Sequence, residues 1–129
     1  MKIYNFNKES GKEITKFGSR FVMSRISQTA SSVHIGVMYL ESDGIIGYHQ
    51  AVTDQLLLIV TGEGWVRGEG EELFKVSTGD AVFWSKDEWH ETTTEKGLTA
   101  IAIEGDLDPN LFLKEKGEKH PNDELDRTI

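Results

Sequence analysis

The stretch GYHQAVTDQLLLIVTGEGWV, residues 47–66, opens with a histidine, His49, passes through Gln55, and becomes an unbroken apolar run that stops short of Gly62. A half-buried antiparallel strand alternates apolar and polar side chains, whereas residues 56–60 are apolar at both parities. Such a strand is covered on both faces. One face fills the inside of a β structure, and the other meets an opposing sheet or a second subunit. A two-fold homodimer is the expectation for the second surface.

Outward from this run the chain reads as short strands. Residues 20–27, 33–40, 64–68, 72–76, 80–84, 90–94 and 98–104 are rich in β-branched, aromatic and apolar types and are separated by polar or glycine-containing clusters. Many short strands spaced by roughly 8 to 12 residues indicate an all-β sandwich or barrel. The two prolines, Pro109 and Pro121, lie beyond the last of them, so no ladder is interrupted. From residue 106 the composition turns charged and polar, a tail (106–129) expected to hold a short helix at about 110–116 that lays Leu111 and Phe112 on the barrel. A chain of 129 residues supports one domain with a single core.

Charge and composition exclude several partners. Fourteen basic against 22 acidic residues give a net charge of -8, which opposes phosphate backbones and anionic membrane surfaces. The absence of cysteine removes disulfides, thiolate nucleophiles and thiolate-bound metals, so any metal must use nitrogen or oxygen ligands. The first residues become charged too early for a signal peptide, and no segment is long enough to span a bilayer, so a cytoplasmic protein is expected. No Gly-x-Ser-x-Gly elbow or P-loop lysine is present, which leaves serine-hydrolase and phosphate-cradling chemistry without support.

Residues 44–62, taken with GDAVFWSKDEWHE (79–91), resemble the two signature motifs of the cupin superfamily. His49 matches the first histidine of the first motif, Ala51 falls at the second histidine, Gln55 at the glutamate and Gly62 at the closing glycine, while the leading glycine is one position off, at Gly44. In the second motif Gly79 and His90 match. Ser85 stands where the family usually has proline, Asp87 where it usually has glycine, and Thr94 where asparagine is common. The resemblance implies a double-stranded β-helix (jelly-roll) barrel over about residues 20–105, with a short N-terminal extension and the charged tail.

It also implies a site. In the family, imidazoles and a carboxylate face into the barrel and hold one divalent transition metal, of iron, manganese, nickel, copper or zinc type, for dioxygenase, isomerase, decarboxylase or lyase chemistry. Carried over, the metal ligands would be His49, Gln55 and His90, with Tyr48 and Glu88 handling protons. Residues at i and i+2 of a strand share a face, so Ala51 and Gln55 leave that set short of one imidazole and of its negative charge. Asp54 or Glu88 could supply the charge by turning inward. Phe83, Trp84, Trp89, Ala51 and Thr92 are the candidate pocket, since apolar walls with a few convergent polar groups characterise ligand sites. The alternative is that the histidines are buried hydrogen-bonding groups, satisfied by Gln55 or Thr92, in a non-catalytic sensor, carrier or accessory module. His34 has no motif support and is expected to be a packed or half-exposed side chain; His120 is assigned no role.

Overall fold

The computed structural model describes residues 1–116. Eleven strands occur among them: β1 (Lys2–Asn5), β2 (Lys12–Ile14), β3 (Phe21–Met23), β4 (His34–Leu40), β5 (Ile45–Gln50), β6 (Asp54–Arg67), β7 (Phe74–Ser77), β8 (Asp80–Trp84), β9 (Trp89–Thr93), β10 (Leu98–Gly105) and β11 (Lys114–Glu115). They build two facing layers. One runs β11-β1-β8-β6-β10-β4; the other is made of β5, β9, β7 and the C-terminal part of β6. All pairings are antiparallel, and β2 and β3 form a separate two-stranded ribbon. The expected all-β jelly-roll barrel is what the chain forms.

The runs 56–60 and 64–68, expected as two strands, are one long strand that passes from the first layer to the second. Its N-terminal part pairs with β8 and β10, and its C-terminal part with β7 and β9. The crossing is set at Gly62, which takes φ of 92°. A Cβ there would sit 2.8 Å from the Leu98 Cα and closer still to the Gly97 carbonyl, so only glycine allows β6 to lie against the 94–97 turn. That turn is tied down by Thr94, whose hydroxyl donates to the Glu63 carbonyl (2.7 Å) and accepts from the Gly97 amide (2.9 Å).

The doubly apolar run has the two covered faces expected of it. Leu57 and Ile59 face inward with Val66, Val76, Val82, Trp84, Leu98 and Ala100, a core in which each large side chain contributes about 1.5–3 kcal/mol relative to exposure. Leu56 and Leu58 face outward, and residues of the same chain cover them. These come from the chain's own ends: Tyr4, Leu107 and Leu113 are buried there with Ala81, and Phe6, Ile26 and Phe83 pack around them. On the same outer face Ile35, Val37 and Tyr39 of β4 remain exposed.

The tail departs from its expected form. Residues 109–112 make turns rather than a helix, Leu111 is exposed, and residues 114–115 pair with β1, so this part belongs to the barrel. Lys116 completes the junction, its amide donating to the Ile3 carbonyl and its ammonium bonding the buried Asp80 carboxylate at 2.8 Å. The remainder of the expected tail, with His120, lies outside the described residues.

Gly62→Ala is expected to lower stability by about 1–3 kcal/mol, the cost of a side chain in a disfavoured backbone region. Gly70→Ala, where a Cβ meets nothing within 4 Å, should stay within about 0.5 kcal/mol of the parent. Urea unfolding of the two variants checks this; equal midpoints would contradict the role given to Gly62.

Candidate functional site

The two motif histidines come from neighbouring strands. In the β5–β9 ladder Ile46 stands opposite Thr92 and His49 opposite His90, so Gly47 and Tyr48 together face the single residue Glu91. This is a β-bulge. A regular register would set Tyr48 against His90 and turn His49 outward. The additional residue instead brings both imidazoles to the inner face, with ring centroids 4.3 Å apart and planes inclined by 54°.

The rest of the inner wall follows from strand pairing. Gln55 of β6 pairs with Trp84 of β8; both are buried, and the Trp84 indole stacks on the His90 ring at 4.5 Å between centroids. Thr92 and Ala51 are buried on the same side, and the Ala51 amide donates to the Glu88 carbonyl at 2.9 Å. Between Ser85 and Glu88 the second motif makes a tight turn in which Asp87 adopts φ of 73°. That left-handed conformation explains why glycine is common at the position, and aspartate is among the residues that tolerate it.

Both imidazoles are oriented through Nδ1. His49 Nδ1 lies 2.7 Å from the Gly47 carbonyl oxygen and His90 Nδ1 lies 3.3 Å from that of Glu88. A carbonyl only accepts, so each Nδ1 carries the hydrogen, and in the neutral ring Nε2 presents its lone pair. His90 is 1% exposed, and its Nε2 has no partner among the described residues. The reading in which Gln55 or Thr92 satisfies His90 is therefore not what the structure shows. Burial holds the His90 pKa below its ordinary 6.5; the Glu88 carbonyl contact opposes this, nearby His49 adds to it, and the charges of Glu88 and Glu104 act against it.

Several expected site residues lie elsewhere. Trp89 precedes inward-facing His90 and so points to the outer face, where it stacks on Tyr48 at 5.3 Å. The Arg67 guanidinium covers Tyr48 at 4.1 Å and bonds Glu91 at 3.2 Å. Neither aromatic lines the barrel, and Tyr48 is not placed to move a proton at the imidazoles. Phe83 packs on the outer face of its sheet. Glu88 is committed to holding its turn, one oxygen accepting from the Ser85 amide (3.0 Å) and the other meeting the N-terminal ammonium (2.6 Å). Asp54 does not turn inward either, because it accepts from the Lys86 and Leu107 amides at 2.9 and 3.3 Å.

Two residues without motif support belong to the inner row instead. Glu104 of β10 pairs with Gln55 on one side and with His34 of β4 on the other, giving the sequence His34–Glu104–Gln55–Trp84 across the sheet. The alternation of residues 98–104, with Leu98, Ala100 and Ala102 inward, carried the signal for Glu104. The next pair inward along these strands is Gly36 and Ala102, and a side chain at Gly36 would meet nothing within 4 Å. Small residues thus occupy the next positions of the row.

These residues do not make a complete site for a resident divalent metal. The motif donors are two neutral imidazoles and a neutral amide, which leave a dication uncompensated. Among the described residues no three histidine, aspartate or glutamate side chains gather as a metal-ligand group.

No protein-family model matches the chain. A curated relative, an (R)-mandelonitrile lyase of Granulicella tundricola, is 32% identical over 63 residues; the match covers 47% of this chain and 48% of that protein, about half of its length. Among solved structures, a cupin superfamily protein from Desulfitobacterium hafniense superposes with a TM-score of 0.55 at 13% identity, covering 64% of this chain and 74% of that one. An RmlC-like cupin from Shewanella frigidimarina gives 0.53 at 15% identity, covering 70% and 73%. A cupin-2 domain protein of the same organism gives 0.51 at 14%, covering 62% and 76%.

Because the folded state holds His90 neutral more strongly than the unfolded chain does, the stability this contributes is present above the unfolded pKa of 6.5 and is lost as pH falls through the lower folded value. Between about pH 7.5 and about pH 5, the parent should lose more stability than His90→Gln, which does not titrate. Parallel urea profiles for the two proteins would contradict the buried, neutral imidazole.

Proposed function

Starting from the cupin fold that this chain has, we propose that it binds a small organic molecule at the barrel mouth, through hydrogen bonds that the ligand donates to His49 and His90. The observation that carries this is the unpartnered Nε2 of His90, 1% exposed and stacked on Trp84. A buried acceptor left unpaired costs about 1–3 kcal/mol, and a ligand hydroxyl removes that cost. Gln55, which can donate and accept, fixes the orientation of the ligand.

The likeness to a mandelonitrile lyase supports this class of ligand. Mandelonitrile carries one hydroxyl, which matches the acceptor at His90. In an enzyme His90 would serve as base: a neutral imidazole whose pKa is lowered by burial, with Nδ1 tethered, accepts a proton at Nε2 without changing orientation. In a sensor or carrier it would only bind.

Two probes that differ by one hydroxyl test the proposal. Mandelonitrile is expected to shift the ring resonances of His90 and His49, and phenylacetonitrile at the same concentration to leave them in place. The His90→Gln variant should respond to neither. Equal shifts with both compounds, or none with either, would overturn the hydrogen-bonding role. Elemental analysis of the purified protein, with manganese, iron, nickel, copper and zinc titrations followed by thermal shift, is expected to give no stoichiometric metal. A stoichiometric ion lost together in His49→Ala and His90→Ala would return the site to metal chemistry.

A further inference from the structure

The acceptors at the barrel mouth do not end with the imidazoles. Glu104 stands in the inner row between Gln55 and His34 by strict cross-strand register, two residues beyond the inward-facing Ala102. It is half-buried, and among the described residues its carboxylate makes no ion pair or hydrogen bond with a side chain. Its charge is felt at His90, where it favours the protonated ring against the effect of burial. The two carboxylates expected from the sequence to serve the site, Asp54 and Glu88, are consumed by backbone amides and the N-terminus. Glu104 is the carboxylate that the inner row leaves for a ligand.

With Nδ1 tethered on both rings, the site offers the lone pairs of His49 and His90 and the anionic oxygens of Glu104. Gln55 and the Trp84 Nε1–H, which is also buried without a partner among the described residues, are the groups of this row that can donate. A carboxylate or phosphate ligand would meet the repulsion of Glu104. A molecule with both a hydroxyl and a protonated amine would satisfy every acceptor. The net charge of -8 raises the local concentration of cations.

We propose that Glu104 makes this a site for small amino alcohols, its carboxylate taking the ammonium group while the hydroxyl donates to His90. The inference rests on the acceptor role given to His90 above and adds the charge of the ligand to it.

The test uses three compounds that differ by one group each: phenylethanolamine, α-methylbenzyl alcohol, which lacks the amine, and phenethylamine, which lacks the hydroxyl. Affinities are read from histidine ring resonances on the whole chain pretreated with chelator. Phenylethanolamine should bind at least about tenfold more tightly than either analogue, a modest charge-assisted gain. In Glu104→Gln the advantage over α-methylbenzyl alcohol should vanish while the affinity for that alcohol stays unchanged, which a general loss of structure would not produce. A preference for phenylethanolamine over α-methylbenzyl alcohol that survives Glu104→Gln, or equal binding of these two by the parent, overturns the role of Glu104 and leaves the hydroxyl site standing. Failure of all three compounds to bind overturns the hydroxyl site itself, and with it this proposal.

Discussion

One additional residue in β5 determines what the barrel presents to a ligand. Between Ile46 and His49 this strand spends two residues where β9 spends one. Side-chain direction in a strand has a period of two, so a one-residue insertion exchanges the two faces. Tyr48 is sent out to stack with Trp89 and Arg67, and His49 is turned in to meet His90. Gly47 is well suited to the bulge, and its carbonyl is the group that holds the His49 ring. The device that aims the imidazole therefore also sets its tautomer.

The surrounding structure makes that pair consequential. Packing by Leu57, Ile59, Val66, Val82 and Trp84 closes the barrel below it, and the exclusion of water strengthens any hydrogen bond formed at His90. The position where the cupin resemblance places a second histidine is held by Ala51, and the position of its carboxylate by Gln55. These substitutions shift the site from gathering a dication toward receiving hydrogens from a ligand, and Glu104 adds a charge in a different place.

How far the sequence could be read depended on whether a feature shows in local alternation or only in pairing. The doubly apolar run of β6, the glycines at 62 and 79 and the motif histidines were legible because each reflects a local demand: burial on both faces, positive φ, or a motif spacing. β1, β2, β5 and β11 were not assigned. β11 is two residues long, and the glycine and bulge of β5 break the alternation by which strands are recognised. Tyr48 and Trp89 were placed at the site by their proximity in sequence to His49 and His90. Phe83 was placed by proximity to Trp84, though adjacent strand residues face opposite ways. Glu88 and Asp54 looked available because backbone amides that consume a carboxylate leave no trace in composition. Glu104 and His34 sit in no motif; the alternation of residues 98–104 pointed Glu104 inward, but its place beside Gln55 and His34 appears only in the registers of β10 with β6 and β4.

The central claim is that His49 and His90 are both held with hydrogen on Nδ1 and with Nε2 bare. Nitrogen-15 NMR of the histidine rings, recorded at about pH 8 where imidazoles are neutral, reads this directly. The account predicts two rings in the Nδ1–H form, unlike the solvent-averaged tautomers of an untethered histidine. A His90 ring with hydrogen on Nε2, or one that averages the two forms, would contradict it.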